Sequence, residues 1–83
     1  MEFKPGNLLN EYETFEHSRE EWVSSYIIIG EADNPLYLRC LCIFDFSGSD
    51  GYTPGRICSV ARAISREEQQ GGLVWREVRI YDR

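Results

Sequence analysis

Two stretches of this chain alternate in a strand-like way, and two others carry apolar residues at helical spacing. Residues 7–24 place Leu8, Leu9, Tyr12, Phe15, Arg19, Trp22 and Val23 at three- and four-residue steps with one polar interruption, the period of an amphipathic helix. That helix would gather Glu13, Glu16 and Glu20 on its solvent face. A second reading competes within the same residues. Ser18-Arg19-Glu20-Glu21 has the form of a capping box, which would start a short helix at Ser18 and leave a strand before it.

Tyr26-Ile27-Ile28-Ile29 is aromatic and β-branched, and Asp33-Asn34-Pro35 supplies turn chemistry before the run Leu36–Phe44, so a hairpin is expected across 26–44. In the second strand Leu36, Leu38, Cys40, Cys42 and Phe44 would share one wholly apolar face, the expected core side. Residues 45–55 hold three glycines and a proline and read as a loop. After it Ile57, Val60, Ala61 and Ile64 follow the i, i+3, i+4, i+7 pattern, which favours a helix ended by Gly71-Gly72 over a strand from Arg56 to Ser65. Leu73–Tyr81 alternates clearly. Val74, Val78 and Ile80 would face inward with Arg76 as the exception, and Trp75, Glu77, Arg79 and Tyr81 would face the other way.

These elements sum to an α+β class: one compact domain over residues 1–83, an antiparallel sheet of three to four strands carrying one or two helices packed on one face. The length of 83 residues supports a single core, and 42% hydrophobic with 13% aromatic residues is enough to build it without a disulfide or metal framework. Cys40, Cys42 and Cys58 are odd in number and sparse, which favours a reducing compartment, and the N-terminal residues lack the apolar run of a signal peptide. A cytoplasmic location is the expectation.

Charge sharpens the functional reading. The first 34 residues hold eight carboxylates against Lys4 and Arg19, a balance of −6, whereas residues 35–83 hold seven arginines against six carboxylates, a balance of +1. The net −5 is therefore an N-terminal property. Such a field disfavours direct binding to a nucleic-acid backbone, which needs Lys and Arg to displace counterions, and favours a basic protein partner.

No motif names a reaction. His17 is the only histidine and stands among Glu16, Glu20 and Glu21, with nothing in the spacing to supply a nucleophile or an orienting group. With Cys40, Cys42 and Cys58 it has the ligand types of a zinc site, but Cys-x-Cys on a strand is not the two-to-four-residue knuckle that such sites use, and buried thiols are the simpler assignment. Asp45–Gly51 alternates oxygen-bearing side chains as calcium loops do, yet Gly51 falls seventh rather than sixth and Arg56 occupies the place of the bidentate glutamate.

No enzyme, cofactor or metal site is expected. The expected function is a non-enzymatic acidic protein-binding module, an inhibitor docking on a basic surface such as that of a nucleic-acid-binding protein, with Glu13, Glu16 and Glu20 imitating a phosphate backbone. Phage-encoded inhibitors of bacterial defence, anti-CRISPR proteins among them, and bacteriocin immunity proteins are often of this size and acidity, an analogy of class with no motif behind it. Trp75, Arg79 and Tyr81 are a second candidate contact set, because Trp, Tyr and Arg are enriched at interface hot spots. Two alternatives accompany this reading: a small metal-binding protein using Cys40, Cys42, Cys58 and His17, and an oligomerising structural subunit that pairs through Leu73–Tyr81 as a free edge.

Overall fold

Among the described residues every regular element is a strand, including both segments whose spacing fits a helix. The structure is a computed structural model that describes residues 3–16, 18–45, 54–69 and 72–81. In chain order the strands are β1 (Leu8–Phe15), β2 (Glu20–Glu31), β3 (Tyr37–Asp45), β4 (Ile57–Ala61), β5 (Ser65–Gln69) and β6 (Gly72–Ile80). They form one antiparallel sheet in the order β4-β3-β2-β1-β6-β5, curled into a half-barrel.

The fold is therefore all-β and not α+β, and no helix packs on the sheet among the described residues. The helix expected over 7–24 is instead the β1–β2 hairpin, with Leu9 opposite Tyr26 and Thr14 opposite Glu20. Of the capping-box alternative the strand before Ser18 is present as β1, but the short helix after it is not, since Glu20 and Glu21 open β2 as extended residues. Likewise the helix expected after residue 56 is β4 and β5, joined through Arg62–Ile64.

The physical reason lies on the concave face of the sheet. Strand alternation is disguised in β1 because its inward positions are Leu9, Glu11 and Glu13, and the two carboxylates find partners there rather than in solvent. Tyr26 Oη donates to Glu11 at 3.0 Å, and Arg76 Nε donates to Glu13 at 3.1 Å. Polar groups taken from water in this way are tolerated because each is hydrogen-bonded. Beside these groups and Ser24, which donates to Asp45 at 3.2 Å, the concave face carries an apolar core of Leu9, Tyr26, Ile28, Leu38, Cys40, Cys42, Val60 and Val78, with Phe3, Cys58 and Ile80 packed against it.

The hairpin of 26–44 forms as expected, turned by Asn34, whose side chain accepts from Leu36 N while its carbonyl accepts from Tyr37 N, each at 3.0 Å. Leu38, Cys40 and Cys42 do face the core. Leu36 and Phe44 do not. Leu36 lies in the turn, outside the strand, and is exposed. Phe44 is redirected by a bulge: Tyr26 pairs with Cys42 but Ser25 pairs with Phe44, so Ile43 has no partner and the alternation slips by one. A similar bulge leaves Val23 unmatched between Glu11–Ser24 and Tyr12–Trp22. In β6, Val74 and Val78 are buried inward, as the alternation predicts. Arg76 shares that face because it pairs with Glu13.

Candidate functional site

The bulges shape a groove on the convex face. Outward residues of β1, β2, β3 and the end of β6 enclose an open groove of about 510 Å³, lined by Leu8, Asn10, Tyr12, Trp22, Ser25, Ile43, Phe44 and Tyr81. A pocket of this size lies within the range that holds a small ligand or an anchoring side chain. Because Ile43 is unmatched, β3 supplies both Ile43 and Phe44 to the groove, where a regular strand would turn one of them away.

Its walls are aromatic and held in place. The rings of Trp22 and Phe44 stack with centroids 5.3 Å apart at 30°. The Trp22 indole N–H is shared between the carbonyl of Ser24 at 2.9 Å and Ser25 Oγ at 3.0 Å, and Ser25 Oγ in turn donates to Asn10 Oδ1 at 2.6 Å. Trp22 nonetheless remains 44% exposed, Phe44 39% and Tyr81 51%. Large aromatics that are exposed yet fixed pay little ordering entropy on contact, which is the property of interface anchors.

Beside the groove stands an ion cluster. The Arg79 guanidinium lies 4.5 Å from the Tyr12 ring centroid, donates from Nη1 to Glu20 at 2.8 Å and from Nε to Glu77 at 2.9 Å, and makes a second bond from Nη2 to Glu20. Hydrogen bonds to Glu20 and Glu77 push the Arg79 pKa up, and the same bond to Arg79 holds the Glu20 carboxyl below its ordinary value.

The residues expected to bind a partner are dispersed by the sheet. Glu13 faces inward, paired with Arg76, which also binds Glu67 at 2.6 Å. Glu16 follows β1 and accepts from Leu73 N at 3.3 Å. Glu20 sits in the Arg79 cluster. The three glutamates thus form no common stripe, since Glu13 faces inward on β1, Glu16 lies beyond the end of that strand and Glu20 stands on β2 beside Arg79. Trp75, Arg79 and Tyr81 do share the convex face, as the alternation of β6 predicts, and Tyr81 and Arg79 adjoin the groove while Trp75 lies opposite Thr14, further along β6. Sequence reasoning missed Tyr12, Trp22 and Phe44. The 2.0 period of Leu8, Asn10 and Tyr12 was present, but the helical reading of 7–24 hid it.

The thiols lie in the core. Cys40 is the register partner of Cys58 and Cys42 follows two residues on along the same face. Burial pushes the Cys40 thiol up to about 11 and that of Cys58 up to about 12, with Cys42 raised as well, so all three favour the protonated form that neither ligates nor attacks. Among the described residues no group of three His, Cys, Asp or Glu side chains is placed to hold a metal ion. His17 and positions 46–51 of the calcium-like stretch lie outside the described residues. The free edge expected at Leu73–Tyr81 is corrected for its first half, where β5 pairs with β6 up to Arg76, while Glu77, Val78, Arg79 and Ile80 have register partners in β1 alone among the described residues.

Among the described residues no helix is long and apolar enough to cross a membrane. No protein-family model matches the chain, and neither a curated protein nor a solved structure matches it.

Proposed function

We propose that this protein is a non-enzymatic binding module that holds a partner protein on its convex face, with the Trp22–Phe44 groove as the contact surface. The observation that carries this reading is the anchored, exposed Trp22: two hydrogen bonds and a ring stack fix an indole that nearly half of its surface leaves open to solvent. Burying such a side chain adds a large apolar contribution at small entropic cost. The net charge of −5 favours a basic partner, and inhibition of a nucleic-acid-binding protein is the specific role to which that charge points. The phosphate-mimicking glutamate stripe is no part of this reading, because Glu13 and Glu16 are engaged elsewhere.

Affinity capture with matched variants tests it. Trp22→Ala combined with Tyr81→Ala should reduce recovery of the captured partner about tenfold or more, as loss of a hot-spot pair does. Leu36→Ala and Ile57→Ala, at more exposed positions outside the groove, should not reduce it. Equal recovery by all variants would sink the proposal.

A further inference from the structure

The groove and the charges beside it specify more than a generic apolar contact. Three features converge. The walls offer flat aromatic surface from Trp22, Tyr12 and Tyr81. The floor offers one amide, since Asn10 Oδ1 is taken by Ser25 while, among the described residues, no acceptor takes the hydrogens of Asn10 Nδ2. The side offers a net negative charge, because two carboxylates, Glu20 and Glu77, close on the single guanidinium of Arg79. Arg79 is thereby spent: its donors go to the two glutamates, and its face covers Tyr12.

Resting on the binding-module reading above, we propose that the groove receives an extended segment of a basic protein, seating one large aromatic or aliphatic side chain among Trp22, Tyr12 and Tyr81 and setting a lysine or arginine against Glu20 and Glu77. The main-chain carbonyl beside the seated residue accepts from Asn10 Nδ2. An aromatic groove alone would take an apolar segment of any charge, and a phosphate backbone would meet carboxylates where it needs cations. The excess carboxylate makes the selection, and because those charges are exposed the selection is sensitive to salt.

Two end-blocked tripeptides, Lys-Trp-Lys and Glu-Trp-Glu, test this on the intact protein by ¹H–¹⁵N correlation spectra. The Trp22 indole N–H and the Asn10 side-chain amide report the groove, and the Trp75 indole on the same convex face serves as an internal reference. Lys-Trp-Lys should shift the first two and not the third, bind about five- to tenfold more tightly than Glu-Trp-Glu at low salt, and lose that preference at high salt. In a Glu20→Gln, Glu77→Gln variant, Arg79 is left uncompensated and the preference should reverse. Equal binding of the two peptides, or a shift of the same resonances by an oligouridylate, overturns the proposed chemistry while leaving the groove a binding site. If neither peptide nor oligouridylate moves the Trp22 and Asn10 signals, the groove itself fails, and the binding-module reading falls with it.

Discussion

Trp22 and Phe44 stack across the β2–β3 ladder at 5.3 Å although neither residue is the other's register partner. Phe44 pairs with Ser25, and the bulge at Ile43 swings its ring toward Trp22. The stack is expected to contribute about 0.5–1.5 kcal/mol beyond the area each ring buries. A double-mutant cycle of Trp22→Ala and Phe44→Ala, read by urea unfolding, should give a coupling energy of that size. Strictly additive losses would show that the rings are merely neighbours.

Core truncation should be severe in a chain of this length. Ile28→Ala empties a buried site between Cys40 and the N-terminal segment, where Gly6 N donates to the Ile28 carbonyl at 2.8 Å and Ile28 N to that of Asn7 at 3.0 Å. The expected loss is about 2–5 kcal/mol, enough to leave much of a small domain unfolded. Leu36→Ala, at an exposed turn, should stay within about 0.5 kcal/mol of the parent by thermal and urea denaturation.

The concave Glu11 makes stability depend on pH in a defined direction. Burial raises the Glu11 pKa, partly offset by the hydrogen bond from Tyr26 and the charge of Arg76. A folded-state pKa above the unfolded one means that the native state binds the proton more readily, so this group's contribution is fully present below the unfolded value and is lost as pH rises through the folded one. Glu11→Gln keeps an acceptor for Tyr26 and removes that loss. The variant should therefore gain on the parent as pH is raised from 4 to 8 in parallel urea titrations, and a constant difference would contradict the assignment.

Gly72 is a site where a methyl group should do harm. Its φ is +145°, and a Cβ there would stand 2.9 Å from Glu16 Oε2, the oxygen that accepts from Leu73 N. Gly72→Ala should cost about 1–3 kcal/mol through backbone strain, with the Glu16 side chain displaced. Gly30→Ala, which meets open space and has no positive φ, is the matched comparison. Similar thermal shifts in the two variants would rule out a special role for Gly72.

How much of this was legible follows from where the polar residues fall. The 26–44 hairpin and the two faces of Leu73–Tyr81 could be read because alternation there is strong and turn residues flank it. β1 could not, since Glu11 and Glu13 occupy inward positions and only their partners Tyr26 and Arg76, distant in sequence, explain why. At 57–64 the spacing of Ile57, Val60, Ala61 and Ile64 fits a helix, yet β4 buries only Val60 fully, and a short edge strand with a bend leaves the same residues at the same spacing. The groove was half visible. Arg79 and Tyr81 came from β6, whereas Trp22 and Phe44 depend on bulges that no local pattern marks.

The pairing of β1 with β6, Leu9 opposite Ile80, has a kinetic consequence. β6 is the last of the described strands in chain order, so β1 keeps one side unpaired until β6 has been made. A contact between such distant positions carries a high loop-closure cost and places the chain among slow folders, with timescales of milliseconds to seconds. Until then Glu13 lacks Arg76 and Tyr12 lacks Arg79, and the growing chain exposes a strand edge whose negative charge works against pairing with the wrong partner.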